Sequence, residues 1–148
     1  MRYRPTILLA AAIASAALAA VPAIAEIGRV KRAVGAAFVQ RGTARLPATP
    51  GLPLKEGDLL VTGPDGRISL AFIDNSRFSA GPNSRVSIDE FRFDDTTHKG
   101  QFVTRVDRGT LGVVSGQIAK ENRDGMRVRT PTSLLGVRGT RFVVQVGQ

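Results

Sequence analysis

Apolar and polar residues alternate along much of the chain. Ile68, Leu70 and Phe72 share one parity of their segment, and Arg67 and Ser69 share the other. Val86 and Ile88 alternate with Arg85 and Ser87 in the same way. A period of two sends successive side chains to opposite faces of a strand. Ile68, Leu70, Phe72, Val86 and Ile88 are therefore expected inside, and Arg67 and Arg85 outside. The habit recurs where Phe78 follows Arg77, where Val128 lies between Arg127 and Arg129, and where Phe142 and Val144 flank Val143 after Arg141. This pattern predicts strands near residues 35–40, 58–62, 67–72, 77–80, 85–88, 101–106, 110–114, 126–129 and 140–146. The polar stretches 94–100 and 117–125 are expected as connections, the second ending on Asp124-Gly125 as a hairpin turn. The Pro- and Gly-rich stretch 47–53 is expected as an ordered turn or a mobile surface loop. Beyond residue 25 nothing carries helical periodicity, so the chain is expected to be all-β.

An internal repeat sharpens this. Gly63-Pro64-Asp65-Gly66-Arg67-Ile68-Ser69-Leu70 recurs, offset by 18 residues, as Gly81-Pro82-Asn83-Ser84-Arg85-Val86-Ser87-Ile88. Each copy is a turn with Pro at its second position, where the fixed φ of proline fits, followed by an alternating strand. A unit this short cannot bury a core alone and must pack on its neighbours. The favoured architecture is a short β-helix-like or rolled stack of short strands, with an ordinary β-sandwich or roll carrying two similar hairpins as the alternative. In such a stack Arg67 and Arg85 lie one rung apart, about 5 Å, and form a candidate anion-facing surface. The blander reading is a solvated face with acids close by.

The first 25 residues follow other rules. Arg2 and Arg4 precede an apolar run over residues 7–21 broken only by Ser15, then Pro22, then the small-x-small pattern Ala23-Ile24-Ala25. This is the pattern of a secretory signal peptide cleaved after Ala25. An uncleaved anchor is the alternative, but the run is short for a span of ~20 residues. The expected division is a signal peptide over 1–25 and one domain over 26–148. Cleavage lowers the net charge from +9 to +7. An exported protein of that charge meets lipid headgroups, lipopolysaccharide and acidic polymers before it meets nucleic acid.

Composition excludes several chemistries. The chain has no Cys, so disulfides, Cys-type zinc sites, thiol catalysis and Cys-linked lipid anchors are ruled out. It has no Trp, and its one Tyr is Tyr3, which leaves Phe as the large aromatic of the domain. Those Phe residues are expected in the core, which speaks against base stacking and nucleic-acid binding. Asp89-Glu90 and Asp94-Asp95 are adjacent pairs, without the alternate spacing of a calcium loop. His98 is a lone loop histidine. No nucleophile elbow, HExxH or P-loop occurs. No catalytic residue, metal or cofactor is expected.

Seven short motifs together resemble the FecR domain family. They are Glu56-Gly57-Asp58, Val61-Thr62-Gly63, Gly66-Arg67-Ile68-Ser69-Leu70, Asp74-Asn75-Ser76, Gly81-Pro82-Asn83-Ser84, Val128-Arg129-Thr130-Pro131 and Gly136-Val137-Arg138-Gly139-Thr140-Arg141-Phe142. The resemblance spans residues 33–146, and its closing segment is the most specific. It implies an all-β extracytoplasmic domain. In the best-known members that domain serves a sigma-factor regulator that takes a signal from an outer-membrane iron-siderophore receptor. Those regulators carry a cytoplasmic anti-sigma segment ahead of their membrane helix. Only six residues precede the apolar run here, so the stand-alone exported FecR-like proteins are the closer likeness.

The function expected is that of a non-catalytic envelope module that senses or scaffolds, periplasmic or at the cell surface. Its expected partner is an envelope protein or an anionic polymer, with no membrane span after cleavage. Alternatives are a basic module binding anionic envelope or extracellular polymers, a part of an iron-signalling system and, least favoured, a carbohydrate-active enzyme. Gly136, Arg138 and Gly139 are expected to form a tight structural turn, with Arg138 bonding loop carbonyls or a buried acid. The segment after it should close the fold, with Phe142 and Val144 covering the core.

Overall fold

The computed structural model describes residues 19–20 and 24–147. The expected signal peptide, residues 1–25, falls outside the described residues apart from 19–20 and 24–25. The elements are β1 (Glu26–Val34), β2 (Ala37–Arg41), β3 (Ala44–Pro47), β4 (Pro53–Lys55), β5 (Leu59–Thr62), β6 (Arg67–Phe72), β7 (Arg77–Ala80), β8 (Arg85–Phe93), β9 (Gly100–Val114), α1 (Gln117–Glu121), β10 (Met126–Arg129), β11 (Leu134–Val137) and β12 (Arg141–Val146). The chain is all-β, folded as an antiparallel sheet curled into a half-barrel.

The curl comes from four stretches of chain that lie side by side and each bend once. They are β1–β2, β5–β6, β7–β8 and the long β9. On one side of the bend the order is β4-β1-β6-β7-β9-β12, and on the other it is β3-β2-β5-β8-β9-β10-β11. We call these the first and second wings. β9 belongs to both: residues 100–108 pair with β8, and residues 109–114 with β7 and β12.

The repeated turns are the bends. Gly63 N–H donates to the Ala36 carbonyl at 2.8 Å, and Thr62 Oγ1 donates to the Gly81 carbonyl at 2.7 Å while accepting from Ser84 N–H at 2.9 Å. Ser84 Oγ then accepts from Thr110 N–H at 3.0 Å. Backbone thus ties the first corner to the second, and the Thr62 and Ser84 side chains tie the second to the third and the third to the fourth. In β9 the corner is Gly109, at φ +89, and a Cβ there would lie 2.4 Å from the Ser84 Cα. Only glycine fits that approach.

This explains the repeat and corrects the stacking inferred from it. The offset of 18 residues is the path out along β6, around the tip at 73–76, and back along β7 to the adjacent corner. β6 lies in the first wing and β8 in the second, and the two do not pair. The copies are neighbouring corners, not rungs of a β-helix-like stack.

The expected in-and-out parity holds. Ile68, Leu70, Phe72, Val86 and Ile88 are buried, Arg67 is exposed and Arg85 is partly exposed. Phe72 and Phe78 from the first wing meet Phe91 and Phe102 from the second, with ring centroids 4.7–5.7 Å apart. This aromatic cluster joins the wings. β12 pairs along β9 from Arg141 to Val146, with Val144 buried and Phe142 partly so.

Two local expectations change. β10 runs parallel to β9, so Asp124-Gly125 cannot close a hairpin between them; the chain crosses over through α1, and Gly125 N–H closes a turn on the Asn122 carbonyl. The polar stretch expected as pure connection thus contains a five-residue helix that buries Ile118 and Ala119. The 47–53 stretch is an ordered turn, where Gly51 N–H donates to the Val30 carbonyl at 2.8 Å.

Candidate functional site

Directly opposed residues in a sheet point to the same face. On the outer face of the first wing, register therefore defines rows across the strands. One row runs Arg29, Ala71, Arg77, Val114, Arg141 through β1, β6, β7, β9 and β12. The next runs Arg32, Ser69, Ser79, Gly112, Val143, with Lys31 beside Arg32 at a β-bulge. Arg67 lies opposite Val34 one row further on. Arg29, Lys31, Arg32, Arg67, Arg77 and Arg141 are all exposed. Small side chains separate the arginines, and a hollow of about 610 Å³ lies over Arg29, Lys31, Ser69, Ala71, Arg77 and Ser79.

Among the described residues the acid that pairs with this face is Glu26. It accepts from Arg29, and that bond, with the charge of Glu26, raises the Arg29 guanidinium above its ordinary range. Lys31, Arg32, Arg67, Arg77 and Arg141 make no ion pair among the described residues.

The second wing differs. Arg85 pairs with Asp107 at 3.5 Å, and Arg105 with Asp107 at 3.2 Å and with Asp89 at 3.8 Å. Asp89 also accepts from Ser87 Oγ at 2.6 Å, and Arg92 lies 3.6 Å from Glu90. Arg85 therefore sits in a charge network one wing away from Arg67. The two residues marked in the sequence as an anion-facing pair are not brought together. The arginines that do line up, Arg29, Arg77 and Arg141, come from strands far apart in the chain. The sequence signal was the recurrent Arg beside an inward apolar residue; the register that aligns them is non-local.

The polar residues of the motifs serve the backbone. Asp58 is fully buried and holds Arg41 through two bonds of 2.8 and 2.7 Å, and it also accepts from Lys55 N–H. The hydrogen bond to Asp58, partly opposed by burial, raises the Arg41 guanidinium above its ordinary range. Asp74 accepts from Ser76 N–H and Oγ at the β6–β7 tip, and Ser76 Oγ accepts from Gly116 N–H. Asp94 accepts from Thr97 and Thr96 N–H, and these bonds hold its carboxyl below the usual range. His98 stacks on Phe93 in the same loop. No group of three His, Cys, Asp or Glu positioned for a metal ion occurs among the described residues.

The last candidate is the β10–β11 hairpin. β11 pairs with β10 alone, and Leu134 and Leu135 on it are 59% and 40% exposed. A second hollow, of about 390 Å³, separates the hairpin loop from the end of β12 and is lined by Pro131, Leu135, Val144 and Val146. The expected turn is divided between a strand and a link. Gly136 lies in β11, and Gly139 turns the link toward β12 at φ +45. Arg138 is exposed, and among the described residues it makes no side-chain hydrogen bond. Sequence reading passed over Leu134 and Leu135, because two adjacent leucines look like core and only the pairing shows that β11 is an edge.

No helix among the described residues is long and apolar enough to cross a membrane. The sequence pattern of the FecR protein family matches residues 58–148, well over half of the chain. No curated protein and no solved structure matches it.

Proposed function

The chain belongs to the FecR family, and on that premise we propose that it is an exported, non-catalytic recognition module of the cell envelope, periplasmic or at the cell surface, that senses or scaffolds by contact with another envelope protein. Family membership makes it a domain of the sensing and signalling kind. The observation that carries the reading is the seam between β11 and β12. An edge strand, paired on one side only and bearing Leu134 and Leu135, stands beside a hollow lined by Leu135, Val144 and Val146 together with Thr130, Thr132, Ser133 and Gln145. Such an edge offers unpaired N–H and C=O groups to an added strand, and its side chains provide the specificity. The most distinctive family motifs, Thr130-Pro131 and Gly136 to Phe142, bracket this seam.

The test places a photo-crosslinking residue at Thr132 in the full chain expressed in cells, beside a control at Gln40 on the second wing. The expected result is a protein adduct of defined mass from Thr132 and not from Gln40, lost when Leu134→Glu and Leu135→Glu are added. Identification of the adduct as an outer-membrane receptor would place the chain in a signalling system. Equal adducts from both sites, or adducts that survive the double substitution, would overturn the seam. Intact mass of the purified protein tests export: a mature chain beginning at Glu26 is expected, and retention of residues 1–25 would overturn it.

A further inference from the structure

We propose that the outer face of the first wing is a binding trough for an acidic polysaccharide bearing one carboxylate per disaccharide. The proposal goes beyond the protein contact at the seam and is independent of it. Arg29, Arg77 and Arg141 occupy one row on alternate strands. Adjacent strands lie about 4.8 Å apart, so successive arginines are spaced by about 10 Å. A pyranose unit in an extended chain advances by about one strand spacing, so an acid on every second sugar keeps step with the row. Ala71, Val114, Ser69, Ser79 and Gly112 form a low floor between the guanidinium groups, and the hollow above β1, β6 and β7 gives the chain room. Lys31, Arg32 and Arg67 stand on the adjoining rows.

Charge distribution singles out this face. Among the described residues, Asp89, Glu90 and Asp107 of the second wing pair with Arg85, Arg92 and Arg105, although Arg108, Arg127 and Arg129 stay unpaired; on the first wing Glu26 alone faces six cations, three of them in one row. Guanidinium groups are weakly hydrated and match carboxylates through two parallel hydrogen bonds. The alternatives fit less well. The face carries no aromatic side chain on which a base could stack. Its exposed apolar side chains are Val34, Ile73 and Val143, which lie scattered on separate rows or at the tip and do not form a continuous patch to insert into a lipid surface.

The experiment measures binding of the purified full chain to hyaluronan, which has one carboxylate per disaccharide. Neutral dextran and phosphatidylglycerol vesicles serve as comparisons. One variant replaces Arg29, Arg77 and Arg141 by Gln. The other replaces Arg108, Arg127 and Arg129, the same loss of charge on the second wing. The first variant should lose about tenfold or more in affinity, as expected when charge-assisted hydrogen bonds are removed. The second should bind like the unaltered chain. Binding should also fall steeply with salt. Equal losses in both variants would show a net-charge effect and overturn the trough, as would no binding to hyaluronan or binding to the vesicles alone. Protection of arginines from a dicarbonyl reagent gives a second measurement on the unaltered chain. Hyaluronan should shield Arg29, Arg77 and Arg141 and leave Arg108, Arg127 and Arg129 reactive; uniform shielding would overturn the proposal.

Discussion

The two wings share four bent stretches of chain and one core, yet the arginines at the middle of their outer faces are treated differently. On the second wing Arg85 and Arg105 are held by Asp89 and Asp107. On the first wing Arg77 and Arg141 stand in a row with no acid between them. Strand alternation requires only that the outward positions be compatible with water. It does not require that their charges be balanced. Surface ion pairs are worth little to stability, so folding alone explains neither arrangement. The pairing on the second wing compensates Arg85, Arg92 and Arg105, while Arg108, Arg127 and Arg129 pair with no acid among the described residues. The open row on the first wing leaves Arg77 and Arg141 facing solvent with no acid beside them among the described residues, and this is the place where the proposed polysaccharide would supply one.

The most disruptive way to test the comparison is to remove what the wings have in common. Phe72 is buried and touches Phe78, Phe91 and Phe102, so it bridges both halves. Phe72→Ala should destabilise the fold by about 3–5 kcal/mol, and both wings should be lost together. Chemical denaturation monitored by circular dichroism and by hydrogen exchange gives the answer. A second transition, with one wing outlasting the other, would mean that they are separate units.

The corner comes next in size. Gly109→Ala forces a side chain onto φ +89 and against the Ser84 backbone. Strain and overpacking together should cost about 2–4 kcal/mol. The same change at Gly42 also meets a positive φ, +58, but has open space around its Cβ. It should cost only about 1 kcal/mol. Equal melting temperatures for the two variants would show that the corner is not a tight joint.

How much of this could be seen in the sequence differs between the wings and the corners. Strands 67–72, 77–80 and 126–129 were placed to the residue, because their alternation is local and turns bound them. The strand over 26–34 was missed, since Gly28 and the bulge at Lys31 and Arg32 interrupt its parity. The long β9 was expected as two strands, because Gly109 reads as a break when it is in fact a bend within one ladder. The repeat was visible, but its meaning was not. An 18-residue offset fits a rung or a hairpin path equally well, and only the pairing of β6 with β7 decides. The same limit hid the arginine row. Arg29, Arg77 and Arg141 lie on β1, β7 and β12, and no local pattern links them.

The smallest predicted effect goes to the comparison itself, because it concerns sign. Arg77 and Arg141 lie two strands apart, about 10 Å. Two like charges at that distance in water repel by about 0.4 kcal/mol, and the repulsion fades once the Debye length drops to ~8 Å at physiological salt. Arg77→Gln should therefore raise stability by a few tenths of a kcal/mol at low ionic strength, and the gain should vanish in molar salt. Arg105→Gln removes the cation beside Asp89 and one of the two beside Asp107. It should lower stability by up to about 0.5 kcal/mol at low ionic strength, and this loss should also vanish in molar salt. Both side chains are arginines on the exterior of the same curled sheet, so any effect of arginine on helix or strand propensity largely cancels between them. Thermal melts of both variants at low and high salt supply the four values needed. Opposite signs that converge with salt would establish that Arg105 is compensated in the folded chain and Arg77 is not. The same sign for both would show that Arg77 is compensated in solution, and the contrast between the wings would fall.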